Sequence, residues 1–301
     1  MRLFSHGRWV ALAQFFTDKI EDYWHILYPP IPLEKREADP YLYFYDISRK
    51  ALDYRGPFDS KGIYLFHGYD GKPHLHALEI AQYALACWLA WRKTGESVWK
   101  ERALRHCDWL VAHQDGQGAF LIGHKNPIYA DLPTPWPSAL AQGLAVSALI
   151  RAYLATEGAE YERAAQKAAD FLRLPVEEGG VFRSFKEGTY LYEEYPRPAL
   201  SGVLNGHISA VFALMELGLA KGEFDNLLKL LPRYDTGYWS LYALDGTPAS
   251  GFYHRHLVTQ LNVLEEKDGR FAPFKERFAG YLDSFSCVLR AAVKKTLGSG
   301  R

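Results

Sequence analysis

Residues 136–158, WPSALAQGLAVSALIRAYLATEG, followed at 160–174 by EYERAAQKAADFLRL, decide the fold class. The first piece is apolar nearly all the way round a helical wheel, and the second carries charge on much of its surface. A helix of the first kind belongs inside a protein, and one of the second kind covers it from solvent. The same order returns three times. HALEIAQYALACWLAWRKTG (76–95), stopped by Gly95, precedes VWKERALRHCDWLVAHQ (98–114). SGVLNGHISAVFALMELGLAKG (201–222) precedes FDNLLKLLP (224–232), and HRHLVTQLNVLEEKDG (254–269) precedes RFAPFKERFAGYLDSFSCVLRAAVKK (270–295). Ala81-Gln82 and Ala141-Gln142 lie 60 positions apart, and Asn205 follows Gln142 by 63. A repeat of that length with two helices per unit predicts a mainly α fold, an incomplete (α/α) toroid or barrel of about four helical hairpins. The mostly apolar helices would line its inside.

The toroid is expected over residues 61–296, after an N-terminal segment, 1–60, that holds a helix and short strands. Within it, RWVALAQFFTDKIEDYW (8–24) predicts an amphipathic helix lying on the body or against a partner. YLYFYDI (41–47) and GIYLF (62–66) alternate in the manner of short strands. In this arrangement the loops entering the apolar helices gather at one end and wall a cleft, where function should be sought.

Composition excludes several classes of function. Lys+Arg and Asp+Glu number 35 each, so no global field draws nucleic acid or an anionic membrane. No run of 18 or more apolar residues predicts a membrane span, and no signal-peptide pattern opens the chain, so a cytoplasmic protein is expected. Cys87, Cys107 and Cys287 are odd in number and widely spaced, which fits reduced, mostly buried thiols. His74 with His76, and His254 with His256, have an i, i+2 spacing with no HExxH or cysteine pair beside them, so no metal is expected. No G-x-S-x-G elbow, G-x-G-x-x-G turn or P-loop occurs, and neither a serine triad nor a nucleotide or other cofactor is expected. Aromatic residues make up 15% of the chain, with 20 tyrosines and 8 tryptophans, and such rings suit the faces of sugars as well as gaps between helices.

The four junctions are FHGYDGKPHLHALEIAQ (66–82), ADLPTPWPSALAQG (130–143), LYEEYPRPALSGVLNG (191–206) and YDTGYWSLYALDGTPASGFYHRH (234–256). They supply Glu193, Glu194, many aromatics, histidines and the cations Arg197 and Arg255. A carboxylate crowded by Tyr192, Tyr195 and Pro196 would be partly desolvated, which raises its pKa toward a range useful for proton transfer. Two solvated rim carboxylates that cap the next helix are the structural alternative.

YEEYP (192–196) with VLNG (203–206), then LLPRYDTGYWSLYAL (230–244), then Tyr253-His254 with Gln260-Leu261, resemble the helical C-terminal domain of the D-glucuronyl C5-epimerase family. WPSALAQG (136–143) and IAQYAL (80–85) match that family's inner-helix segments, in order. The resemblance implies an isomerase that inverts C5 of glucuronate within a polysaccharide, with Glu194, Tyr242 and Tyr253 as catalytic residues. It further implies Trp136, Gln142, Tyr195 and Asn205 as walls of the site, with His254 beside Tyr253. Arg183, Arg197 and Arg255 are the candidates to meet the substrate carboxylate. YALDG (242–246) lacks the arginine that follows the matching tyrosine in the family. The expected partner is a uronate-containing oligo- or polysaccharide, and a homo-oligomer stays open. A polysaccharide lyase, a glycoside hydrolase using Glu193 or Glu194, and a non-catalytic glycan-binding protein are the alternatives.

Overall fold

The structure is a computed structural model and describes residues 12–17, 30–68 and 70–298. It is mainly helical. Two short helices, α1 (Leu33–Ala38) and α2 (Ser48–Leu52), come first, followed by the hairpin β1 (Phe66–His67) and β2 (Pro73–His74). Four helical pairs follow: α3 (Ala77–Thr94) with α4 (Ser97–His113), α5 (Ala139–Thr156) with α6 (Ala159–Phe171), α7 (Leu204–Glu216) with α8 (Glu223–Leu230), and α9 (Gly251–Glu265) with α10 (Ala272–Asp283). A second antiparallel hairpin, β3 (Phe182–Ser184) and β4 (Tyr190–Tyr192), precedes α7, and α11 (Phe285–Gly298) ends the described chain.

Hydropathy explains which helix of each pair is inside. Glu79–Ala90 of α3, Ala139–Leu149 of α5 and Leu204–Leu214 of α7 are buried without a break. By contrast α4 buries only Ala103, His106, Cys107 and Leu110, one stripe at helical spacing. The inner helices pack on one another in chain order, α3 on α5, α5 on α7, α7 on α9. Among the described residues α5 has the length and hydropathy to cross a bilayer, yet 72% of it is buried between its neighbours. Its apolar character follows from that central place. Gly95 closes α3 at φ 74°, its N–H on Trp91 O, as a left-handed helix stop requires.

Two expectations are corrected. YLYFYDI forms no strand. Tyr43, Phe44, Tyr45 and Ile47 are all buried in the same core as the inner helices. Arg151 of α5 donates to Tyr41 O and Leu42 O, Phe44 stacks on Phe212 of α7 at 4.2 Å, and Tyr45 meets the His256 ring of α9 edge-on at 5.2 Å. The alternation that reads as a strand is satisfied by protein on both sides, and the backbone is bonded piecemeal, Tyr41 O and Leu42 O by the Arg151 side chain and Phe44 O by Ile31 N–H. GIYLF is closer to its expectation, bridging Phe58 through Tyr64 and entering β1 at Phe66. The second correction concerns 270–295, which is not one helix. Ser284 turns extended (φ −96°, ψ 107°) and its Oγ accepts from Cys287 N–H, ending α10 and capping α11.

Of the helix expected at 8–24, only residues 12–17 are described, as one turn, and the rest lies outside the described residues. Phe15 is buried against Trp239, with ring centres 5.6 Å apart. Cys87 and Cys107 are buried and all three cysteines are free.

Candidate active site

One cleft receives residues from all four junctions. Phe66, His76, Leu78 and Glu79 come from the first, and Trp136, Ser138 and Leu140 from the second. Glu194 and Tyr195 come from the third and Tyr253 from the fourth, while His124, Asn126, Pro127 and Ile128 close the rim. Tyr253 also lines a smaller adjoining cavity with Tyr242, Asn205, Leu257 and Gln260. The rings of Tyr242 and Tyr253 lie 4.7 Å apart. Glu194, Tyr242 and Tyr253 are therefore brought together.

The chain sets Glu194 by its neighbours. β4 leads into Glu193, whose N–H bonds Val181 O and whose carbonyl accepts from Ala139 N–H at the start of α5. In extended backbone successive side chains point to opposite sides, and the two glutamates divide accordingly. Glu193 turns away from the cleft and is fully engaged. Its Oε1 accepts from Arg183 Nε at 2.7 Å, and its Oε2 accepts from Ser201 Oγ at 2.6 Å and Gly202 N–H at 2.9 Å. Glu194 is as buried, but its Oε2 has no hydrogen-bond partner. Burial pushes its pKa up to about 7, the Glu193 charge adding to the rise, while the phenols of Tyr195 and Tyr242 and the Gly206 N–H pull the other way. Those phenols lie near enough to act on the charge without closing a bond on Oε2.

Gly206, in the first turn of α7, makes room for this carboxylate. A Cβ there would lie 2.6 Å from Glu194 Cβ and 2.9 Å from its Oε2. Tyr242 is tied to the same helix end, its carbonyl accepting from Leu204 N–H and its own N–H bonding Thr247 O. Burial first, and Glu194 next, hold the Tyr242 phenol well above its ordinary pKa. Tyr253 sits in the first turn of α9, its N–H capped by Ser250 Oγ.

The remaining expected residues separate into two groups. Trp136 and Tyr195 line the cleft, 5.6 Å ring to ring, and Trp136 Nε1 donates to His124 O. Asn205 Oδ1 accepts from His256 Nε2 at 2.8 Å and Gln260 Nε2 at 3.1 Å, at the edge of the smaller cavity. Gln142 and His254 serve the frame. Gln142 accepts from Phe120 N–H and donates to Gly118 O. His254 stacks on Trp239 at 3.7 Å, donates from Nε2 to Phe278 O and accepts at Nδ1 from Ser240. Burial pushes its pKa down to about 4, so this tautomer is neutral.

The three arginines are placed outside the cleft lining. Arg183 holds Glu193 and Arg197 O, Arg197 pairs with both oxygens of Asp131 over the Tyr129 ring, and Arg255 donates to Gln14 O and Thr17 O. What the sequence reading passed over is His124 and Glu79, and it weighed His76 only as a metal ligand. The signal for His76 was its place one residue before α3, the same register that puts Ser138 before α5. Among the described residues no cluster of histidines, cysteines and carboxylates has metal-binding geometry.

A buried carboxylate near neutral pKa beside two phenols, in a cleft rimmed by aromatic rings, is an arrangement chemically able to exchange a proton with a bound ligand. The family described as D-glucuronyl C5-epimerase C-terminus matches residues 114–279, and the chain belongs to that family. It is 31% identical over 208 residues to the D-glucuronyl C5-epimerase of Caenorhabditis elegans, covering 58% of this chain and 34% of that protein. It is 28% identical over 266 residues to an uncharacterized protein of Methanocaldococcus jannaschii, covering 78% of this chain and 83% of that one. The match to the Caenorhabditis elegans enzyme thus spans about a third of its length.

Proposed function

We propose that this protein is a uronate C5-epimerase acting on a glucuronate-containing glycan, and that its arc of hairpins is an incomplete (α/α) toroid with the reaction at its loop end. The observation that carries this reading is Glu194. It is buried, unbonded at Oε2 and half-ionised near neutrality, on the wall of a cleft that it shares with Tyr253. A carboxylate with that pKa can take a proton at pH 7 and still be a base of useful strength.

The hydrogen at C5 of a uronate is acidic because it lies α to the carboxylate. Glu194 accepts it from one face of the ring. A phenol on the other face returns a proton to C5, inverting the centre. Tyr253 stands in the cleft for that step, and Tyr242, whose raised pKa keeps it protonated, backs it from 4.7 Å. Trp136 and Tyr195 supply flat apolar surface for the sugar.

The test is a panel of uronate polymers incubated with the protein in D2O and read by NMR. Deuterium at C5 with inverted sugar in the product is the expected result. An unsaturated, ultraviolet-absorbing product would assign β-elimination in its place, new reducing ends would assign hydrolysis, and binding without label would make the cleft a lectin site.

A further inference from the structure

C5 and the carboxylate carbon of a uronate are directly bonded, so whatever holds the carboxylate must line the same cleft as the groups that exchange the C5 proton. Arg183, Arg197 and Arg255 pair with Glu193, Asp131 and the 14–17 turn, Arg197 keeping a buried Nε without a partner outside the cleft lining, and among the described cleft-lining residues there is no arginine or lysine. Two histidines occupy that wall. His76 and His124 both line the cleft with their ring centres 4.9 Å apart, and Trp136 braces both, meeting the His76 ring edge-on and bonding His124 O. His76 is 8% exposed, and the Nδ1 atoms of both rings are buried without a hydrogen-bond partner. Unpaired buried polar atoms are costly, and a pair of them in a cleft marks a place where a ligand completes the bonding.

We propose that His76 and His124 form the seat of the substrate's C6 carboxylate, each donating one ring N–H to it. This rests on the uronate reading above and names the part of the substrate that the reading leaves unheld. A neutral imidazole can donate from either nitrogen, so the seat needs no charge of its own. Both rings are kept neutral. Burial, then His124 and Lys50, push His76 down to about 3, and burial, then His74, lowers His124 against the pull of Asp70. Charge that moves onto the carboxylate as the C5 proton leaves would meet the same two donors, which strengthens their bonds in the transition state.

The test compares binding of a glucuronate-containing heparosan hexasaccharide with that of the same oligosaccharide after reduction of its carboxyl groups to alcohols, by calorimetry on the full chain. The wild type should favour the uronate form roughly tenfold to a hundredfold, the scale of hydrogen bonds to a charged group. His76→Phe and His124→Phe should each erase most of that preference while leaving affinity for the reduced form within a few-fold. His124→Gln, which keeps a donor, should restore part of it. Binding of the reduced form also reports that each variant is folded. A preference unchanged in both phenylalanine variants overturns the seat, as does a wild type that shows none. Stoichiometric zinc binding lost in both variants overturns it as well, by giving those nitrogens to a cation. C5 exchange in the wild type is read separately. Exchange with a histidine-independent preference removes only this inference, and a histidine-dependent preference without exchange removes only the epimerase reading.

Discussion

Glu193 and Glu194 are chemically identical neighbours with opposite fates, and the difference lies in their partners. Replacing Glu194 by Gln should lower C5 exchange by roughly a hundredfold or more, the usual scale for losing an acid–base group, with sugar binding largely kept. The same substitution should stabilise the protein above neutral pH. The folded pKa of about 7 stands above the ordinary 4.5, so between those values the unfolded chain gives up its proton first. Stability relative to a neutral side chain falls through that window by at most about 3 kcal/mol, is constant above it, and is unaffected below pH 4.5. Thermal melts should therefore show Glu194→Gln above the wild type at pH 8 and level with it at pH 4. Glu193→Gln should instead destabilise the fold, costing about 3–5 kcal/mol because Arg183 loses a buried counter-ion. The pair was legible in the sequence as a cluster. Which member lines the cleft was not legible from residue types, because it depends on where β4 delivers each side chain, and only the resemblance singled out Glu194.

At the scale of elements, the helices were legible because burial imprints itself on periodicity. Where two of them approach closely was less so, since that rests on one glycine. A Cβ on Gly143 of α5 would sit 2.5 Å from Ser209 O of α7, so the two inner helices cross at backbone contact. Gly143→Ala should push them apart and cost about 1–3 kcal/mol by denaturant titration, the range for overpacking. Gly206→Ala acts on a different object. Its methyl would meet the Glu194 side chain, so exchange should drop by more than the loss of folded protein explains, and a kcat measurement on fully folded sample should show it. Where the sequence misled, at 41–47 and at Ser284, the local pattern was real. Alternating aromatics and a long amphipathic run are each compatible with two tertiary outcomes, and contacts far along the chain decided between them.

The whole molecule is held by residues 41–52, which reach every inner helix and bring a lysine to the back of the cleft. Lys50 is buried and bonds both Glu79 and Gln82 of α3, and Glu79 is itself a cleft-lining residue. Burial lowers the Lys50 pKa, and the Glu79 charge and hydrogen bond oppose that. The N-terminal segment thus supplies the cation that pairs with a carboxylate of the cleft wall. Lys50→Met should cost about 3–5 kcal/mol in urea unfolding, because it leaves Glu79 buried and unpaired. It should also weaken uronate binding more than binding of a neutral glycan, since like charges then share the cleft. Lys50→Met with Glu79→Leu removes both charges and should recover most of the stability and the charge-dependent part of the binding loss, a coupling that a double-mutant cycle measures. Additive losses in the cycle would mean that the segment contributes packing alone, and the charge balance of the cleft would then have to come from elsewhere among the helices.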